Sequence, residues 1–288
     1  MSDPLPVSEN DERRTLRHIL VTGASSGLGA ALAEAYAAPG VRLSLAGRNT
    51  ERLKAVAATC TARGAQTAIS AFDITDTEAT RAWVQNAARE APLDLVIANA
   101  GISAGTGSGG ETAAQAREIF AINVDGVANT VLPAVGHMQP RRHGQISIMS
   151  SLAGFVGFPG APAYCASKAA VRVWGESLRG DLAKSGVRVS VICPGFVRTP
   201  MTDRNPFPMP FLMGAKPGAH RFPVAALRRR QGARRSARVP ARPSVACRAT
   251  EALNRRTISR VRAADAATAR HCGYVRAGSA RMHDRPCR

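Results

Sequence analysis

The sequence contains no apolar run near the ~18 residues that a membrane-crossing helix requires, so no span is expected. Its start, MSDPLPVSENDERR, has no apolar core, which argues against a secretory signal and reads as a flexible arm over residues 1–15. The cysteines, Cys60, Cys165, Cys193, Cys247, Cys272 and Cys287, show no C-x-x-C spacing. That argues against a zinc site and a disulfide framework, and a reducing cytoplasm is the expected location. Acidic residues are scarce in one region: residues 215–288 hold 3 of the 20 Asp and Glu.

What is abundant is arginine, and it is unevenly placed. The net charge of +19 would suggest a nucleic-acid binder if it were spread over the chain. Residues 1–214 carry 20 basic and 17 acidic side chains, whereas residues 215–288 carry 19 basic and 3 acidic ones. The two parts therefore need separate readings.

In the first part, apolar runs alternate with helical patterns. Strands are expected at Leu16–Val21, Val41–Ala46, Thr67–Phe72, Leu93–Ala98, Gln145–Met149 and Val187–Ile192. Between them the spacing predicts helices over Leu28–Tyr36, Thr50–Ala62, Asp76–Glu90, Glu111–Met138 and Ala163–Ser185. Strict alternation implies right-handed crossovers and an α/β, doubly wound parallel sheet (a Rossmann fold) in three α/β/α layers. Ligands of such sheets bind beyond the strand C-termini. The motifs at 22–29, 47–48, 73, 99–101, 150–151 and 194–199 all fall there.

Two of these motifs carry chemistry on physical grounds alone. Thr22-Gly23-Ala24-Ser25-Ser26-Gly27-Leu28-Gly29 joins a strand to a helix. Glycines let the backbone approach a pyrophosphate, and a helix start offers free N–H groups with a partial positive charge. In the stretch Gln145–Lys168, Tyr164 and Lys168 lie four apart and share a helix face. An ammonium ~4 Å from a phenol is worth about 4 kcal/mol at an effective dielectric of ~20, enough to lower the phenol pKa toward neutrality. Ser151, at the end of the preceding strand, could donate a hydrogen bond to a substrate oxygen.

The set TGASSGLG, Asp73, Asn99-Ala100-Gly101, Asn123, Ser151, Tyr164-Cys165-Ala166-Ser167-Lys168, Pro194-Gly195 and Thr199 resembles the short-chain dehydrogenases/reductases, in their compact single-domain branch. The resemblance covers about residues 16–213. It implies hydride transfer between a nicotinamide and a carbonyl or alcohol. Tyr164 would be the general acid or base, and Lys168 would lower its pKa and hold the nicotinamide ribose. Ser151 would polarise the substrate oxygen, and Asn123 would hold a water that relays protons through Lys168. Cofactor contacts would come from Gly23, Ser25, Ser26, Gly27, Leu28, Gly29, Asp73 (at the adenine), Asn99, Ala100, Gly101, Pro194, Gly195 and Thr199, besides Tyr164 and Lys168. A homo-oligomer is the family expectation.

Charge at the second strand indicates which nicotinamide. Reading a ribose 2′-hydroxyl needs an acid there; Gly47 takes that place and Arg48 follows. An arginine can pair with a 2′-phosphate, so NADP(H) is expected, with NAD(H) the alternative. The substrate wall is expected from 102–110, 152–161 and 199–213. Phe155, Phe158, Phe196, Phe207 and Phe211 would make it apolar, suited to a neutral carbonyl or alcohol. Cys165 should point away as a packing residue.

Residues 214–288 show neither strand alternation nor a sustained helical stripe, and 18 of the last 74 residues are Arg. Three readings stay open. The segment is a basic tail for nucleic acid or an anionic surface, a divergent folded end, or out-of-frame translation beginning after Phe211-Leu212-Met213. The final strand of the family is not expected in it.

Overall fold

The computed structural model describes residues 16–104, 110–205, 209 and 211–215. The expected N-terminal arm, Phe207 and the Arg-rich stretch from 216 onward lie outside the described residues. All described residues belong to one unit, Met1–Ala237; a second unit, Arg238–Arg288, lies outside them.

Strands β1 (His18–Thr22), β2 (Arg42–Gly47), β3 (Gln66–Ala71), β4 (Leu95–Ala98), β5 (Gly144–Met149) and β6 (Val187–Ile192) form one parallel sheet. Its order is β3-β2-β1-β4-β5-β6, reversing direction between β1 and β4. β1, β4 and β5 are buried along their whole length. That suits a parallel sheet covered on both faces, and it explains why their sequences are mostly apolar rather than alternating.

Alternate residues feed opposite layers. Ile19 and Val21 of β1 pack with Leu43, Leu45 and Leu53 on one side, while Leu20 packs with Val96, Val131 and Ile146 on the other. His18 is a buried polar exception. Its ring nitrogens meet Ala91 O at 3.0 Å and Ser44 Oγ at 2.9 Å, and burial pushes its pKa below the usual value. Beside it, Asp94 Oδ2 accepts from the amides of Arg17 and His18, tying β1 to β4 at the end far from the site.

Helices α1 (Gly27–Tyr36), α2 (Thr50–Ala62), α3 (Thr77–Glu90), α4 (Ala113–Phe120), α5 (Gly126–Met138) and α6 (Pro162–Leu182) fill the crossovers. Asn49 caps α2 and Asp76 caps α3, each accepting a first-turn amide. Thr112 and Gln115 form a capping box at α4. The sequence predicts one helix over 111–138; the structure breaks it into α4, a π-turn at Ala121–Asp125, and α5. The break coincides with buried Asn123, whose side chain reaches out of the helix to backbone elsewhere.

The expectation of no membrane span needs adjustment. Ala113–Met138 is long and apolar enough to cross a bilayer by length and composition, with an 18-residue window of mean hydropathy 1.3. Core helices pass the same test, and Val127, Val131, Ala134 and Met138 of α5 are buried against the sheet.

Candidate active site

A cavity of about 360 Å³ opens at the C-terminal ends of the strands, beside the reversal point between β1 and β4. One wall is the turn after β1. Gly23 has φ +65°, and a Cβ there would lie 2.9 Å from Ala100 Cα; a Cβ on Gly29 would sit 2.2 Å from Gly23 O. Only glycine fits either place, so the helix start closes directly on the turn. Ser26, the N-cap of α1, makes no side-chain cap, and Ser26, Gly27 and Leu28 all line the cavity. The first-turn donors of α1 therefore lack the side-chain partner that α2, α3 and α4 have. A cradle of close-packed glycines and an uncapped helix start fits a pyrophosphate.

Asn99 joins β4 to this turn. Thr22 Oγ1 accepts from the amides of Asn99 (3.0 Å) and Ala100 (3.2 Å), while Asn99 Nδ2 donates to Thr22 O at 3.0 Å. The role of Thr22 as the anchor of 99–100 follows from this geometry rather than from its place in the motif.

At one end of the cavity stand Arg48 and Asp73. Arg48 is well exposed and 3.9 Å from Asp73 Oδ2. Asp73 Oδ1 accepts from Thr75 N (2.9 Å) and Thr75 Oγ1 (2.8 Å). These bonds, the backbone one foremost, and the Arg48 charge hold its carboxyl below the usual carboxylate range. Gly47 packs against Ser25: a Cβ there would meet Ser25 Oγ at 3.3 Å. Arg52, in the first turn of α2, lines the same end. The sequence reading missed it, although its place one helical turn beyond Arg48 was visible.

At the other end are Ser151, Tyr164 and Lys168. Ser151 follows β5, accepts from Ala153 N at 3.1 Å, and lines the cavity beside Tyr164. Its neighbour Ser150 is buried and donates to Lys168 O at 2.7 Å, fastening the strand end to α6. Lys168 is buried, donates from Nζ to Met149 O at 3.1 Å, and lies 5.9 Å from the Tyr164 ring centre.

The electrostatics correct one expectation. The Tyr164 phenol is not lowered overall: burial pushes it up, and the Ser151 hydrogen bond opposes this only in part. Lys168 is itself stripped of water. Burial lowers its pKa to about 8, and its ammonium is engaged with a strand carbonyl.

Asn123 has a task that the sequence did not indicate. Its Oδ1 accepts from Ile102 N (2.8 Å), and its Nδ2 donates to Ile102 O and Ser167 Oγ (3.0 Å each). It thereby links the segment after Gly101 to α6. A Cβ on Gly101 would meet Asn123 Oδ1 at 3.0 Å and Lys168 Nζ at 3.1 Å, so a side chain there would press on both.

Pro194 and Gly195 follow β6, and Leu152 N donates to Pro194 O at 2.9 Å, drawing that turn against the Ser151 loop. Thr199 N donates to Thr202 Oγ1 at 2.9 Å, and Thr202 Oγ1 donates to Val197 O at 2.7 Å. Thr202 falls within the expected wall at 199–213, and its bonds to Val197 and Thr199 give it a structural task there.

The expected phenylalanine wall is also corrected. Phe155, Phe158, Phe196 and Phe211 do not line this cavity; Ile102, Val197 and Met201 do. Phe155 lies under the Arg172 guanidinium at 4.4 Å, and Phe158 packs with Ala153, Ala161 and Cys165. Cys165 is buried, accepts from Phe158 N, and has its thiol pushed up by burial, as a packing residue should. Residues 105–109 of the expected wall lie outside the described residues.

Comparison with known proteins agrees with this geometry. The family model described as short chain dehydrogenase matches residues 17–207. An uncharacterized oxidoreductase of Myxococcus xanthus is 44% identical over 198 residues, covering 68% of this chain and 78% of its own. A short-chain dehydrogenase from Sphingobium yanoikuyae in complex with NADPH superposes with a TM-score of 0.68 at 28% identity, over 74% of this chain and 85% of that one. An NAD+-bound xylitol dehydrogenase gives 0.60 at 29% identity, over 63% and 71%. With the family model spanning most of the chain and the glycine turn, sheet order and cavity in place, this protein belongs to the short-chain dehydrogenase family of oxidoreductases.

Proposed function

We propose that the protein is an NADP(H)-dependent reductase or dehydrogenase acting on a small carbonyl or alcohol, with Tyr164 as its general acid or base. The carrying observation is that Ser151, Tyr164 and Lys168 come together at one end of a cavity whose other end holds Arg48 and Arg52. The glycine turn and the uncapped start of α1 suit the pyrophosphate, and Asp73 lies where an adenine would rest. A nicotinamide bound there supplies a hydride in reduction and takes one up in oxidation.

In reduction, Tyr164 donates its hydroxyl proton to the carbonyl oxygen, and Ser151 donates a hydrogen bond to the same oxygen. In oxidation, the deprotonated Tyr164 accepts the proton of the alcohol. A raised phenol pKa keeps Tyr164 protonated at neutral pH, which suits the donor role. Lys168, when protonated, supplies a positive charge beside the phenolate and donors for the ribose hydroxyls. Asn123 holds the segment that starts at Ile102, and in this reading also a water that passes protons to Lys168. Ile102, Val197 and Met201 favour an apolar, uncharged substrate.

A second reading, an NAD-linked alcohol dehydrogenase using the same residues, draws on the Arg48–Asp73 contact, which occupies part of the charge that a 2′-phosphate would need. Titration with both cofactors separates the two. NADPH should bind more tightly than NADH, and Arg48→Ala should remove most of the difference, one charge-assisted contact being worth about 1.5–3 kcal/mol. Equal affinities in the wild type would favour the NAD-linked enzyme.

A further inference from the structure

The first turn of α6 carries Tyr164, and its backbone donors cannot be capped locally. Ala161, at the N-cap position, has no acceptor side chain, and Pro162 has no N–H. The donors of Ala163 and Tyr164 are met from 52 and 53 residues earlier in the chain. Glu111 Oε2 accepts from Ala163 N at 2.5 Å, and Glu111 Oε1 accepts from Tyr164 N at 3.2 Å. Two carboxylate oxygens thus span two adjacent donors at the positive end of a helix, a charge-assisted arrangement. The ladder of α6 then begins with Cys165 N donating to Ala161 O at 3.0 Å.

The carboxylate is itself held on a firm base. Glu111 directly precedes Thr112, whose capping box with Gln115 sets the start of α4. The segment leading to it begins at Ile102, which Asn123 grips while also bonding Ser167 on α6. Both ends of the 102–111 segment are therefore tied to the helix that bears Tyr164 and Lys168, one through Asn123 and one through Glu111.

We infer that Glu111 is a positioning residue for Tyr164. By holding the amide of Tyr164 it sets the first turn of α6, and with it the place of the phenol against Ser151. This rests on the reading of Tyr164 as the acid or base. Removing the carboxylate leaves two first-turn donors without their acceptor and lets that turn fray, which alters the phenol before it alters the remote cofactor contacts.

The full chain, labelled at tyrosine Cζ with carbon-13, gives a direct test by NMR, with the Tyr164 resonance assigned from its absence in Tyr164→Phe. Glu111→Ala should move the Tyr164 resonance, leave that of Tyr36 in place, and speed amide exchange at Ala163 and Tyr164 about tenfold or more, as expected for loss of a charge-assisted bond. Glu111→Gln keeps one acceptor oxygen and should give an intermediate shift. With NADPH and a panel of apolar ketones and aldehydes, kcat should fall about tenfold in Glu111→Ala while NADPH affinity changes less than about twofold. A wild-type Tyr164 resonance and wild-type exchange in Glu111→Ala would overturn the inference; should that variant not fold, Glu111→Gln is judged by the same signals. If Tyr164→Phe loses turnover but Glu111→Ala keeps a wild-type kcat, the positioning role falls alone. If Tyr164→Phe keeps turnover, the acid/base reading falls, and the resonance still decides whether Glu111 holds Tyr164.

Discussion

Two helix starts face the same cavity and are finished in opposite ways. α1 begins at Ser26 with no side-chain cap, behind a turn so tight that glycine is required at 23 and 29. α6 begins at Pro162 with its free donors closed by Glu111, a carboxylate brought from a distant part of the chain. A helix start carries a partial positive charge wherever it occurs. Left open, it offers that charge to an anion; closed by an internal carboxylate, it offers rigidity to the side chains it bears. The same backbone feature thus serves binding in one place and alignment in the other. The helix starts at Asn49, Asp76 and Thr112 are instead capped by local side chains.

Exchanging the two finishes breaks the comparison most strongly. Ser26→Asp would give α1 the cap it lacks, and an aspartate fits the extended backbone there. The helix should keep or gain stability, while a charge about 4 Å from a phosphate opposes binding by up to about 4 kcal/mol before screening. NADPH affinity should therefore fall at least about tenfold, with no loss in melting temperature. Unchanged affinity would show that the phosphates do not sit at this helix start.

Lys168 sharpens the comparison at the α6 end. Its pKa in the folded protein is about 8, below the unfolded value, so the folded state binds fewer protons between about pH 8 and 10.5. In that window the burial penalty of the ammonium is relieved and this group's contribution to stability rises with pH. The slope is at most about 1.4 kcal/mol per pH unit. Urea unfolding at pH 8 and pH 9 should show the wild type gaining stability relative to Lys168→Met. A parallel response of the two proteins would mean that Lys168 is not buried as a charge.

The smallest effect concerns a helix start that takes no part in the site. Asp76→Ala removes the cap of α3 and should lower stability by about 1 kcal/mol with NADPH binding unchanged. A change in cofactor affinity would mean that caps away from the cavity also shape it.

Much of this was legible in the sequence because parallel strands buried on both faces leave long apolar runs between turn residues. α2 at Thr50–Ala62 and β6 at Val187–Ile192 fall where the pattern places them. The glycine turn and the Tyr164–Lys168 pair were legible from local spacing. The π-turn at Ala121–Asp125 was not, because the helical spacing runs through it and the reach of Asn123 to Ile102 is not a local pattern. Glu111 was invisible as a partner of Tyr164 because the contact spans 53 residues and follows no local rule. The direction of the Tyr164 shift depends on how much water burial removes, which spacing does not encode. The phenylalanine wall failed for a similar reason: Phe155 lies under Arg172 and Phe158 packs with Ala153, Ala161 and Cys165, placements that only packing reveals.

The most direct test of the account is Tyr164→Phe, measured for turnover and for cofactor binding side by side. The phenylalanine keeps the ring packing of α6 and removes only the hydroxyl that meets Ser151. The account predicts that turnover of any carbonyl substrate falls by about a hundredfold or more while NADPH affinity stays near wild type. Turnover close to wild type in this variant would contradict it.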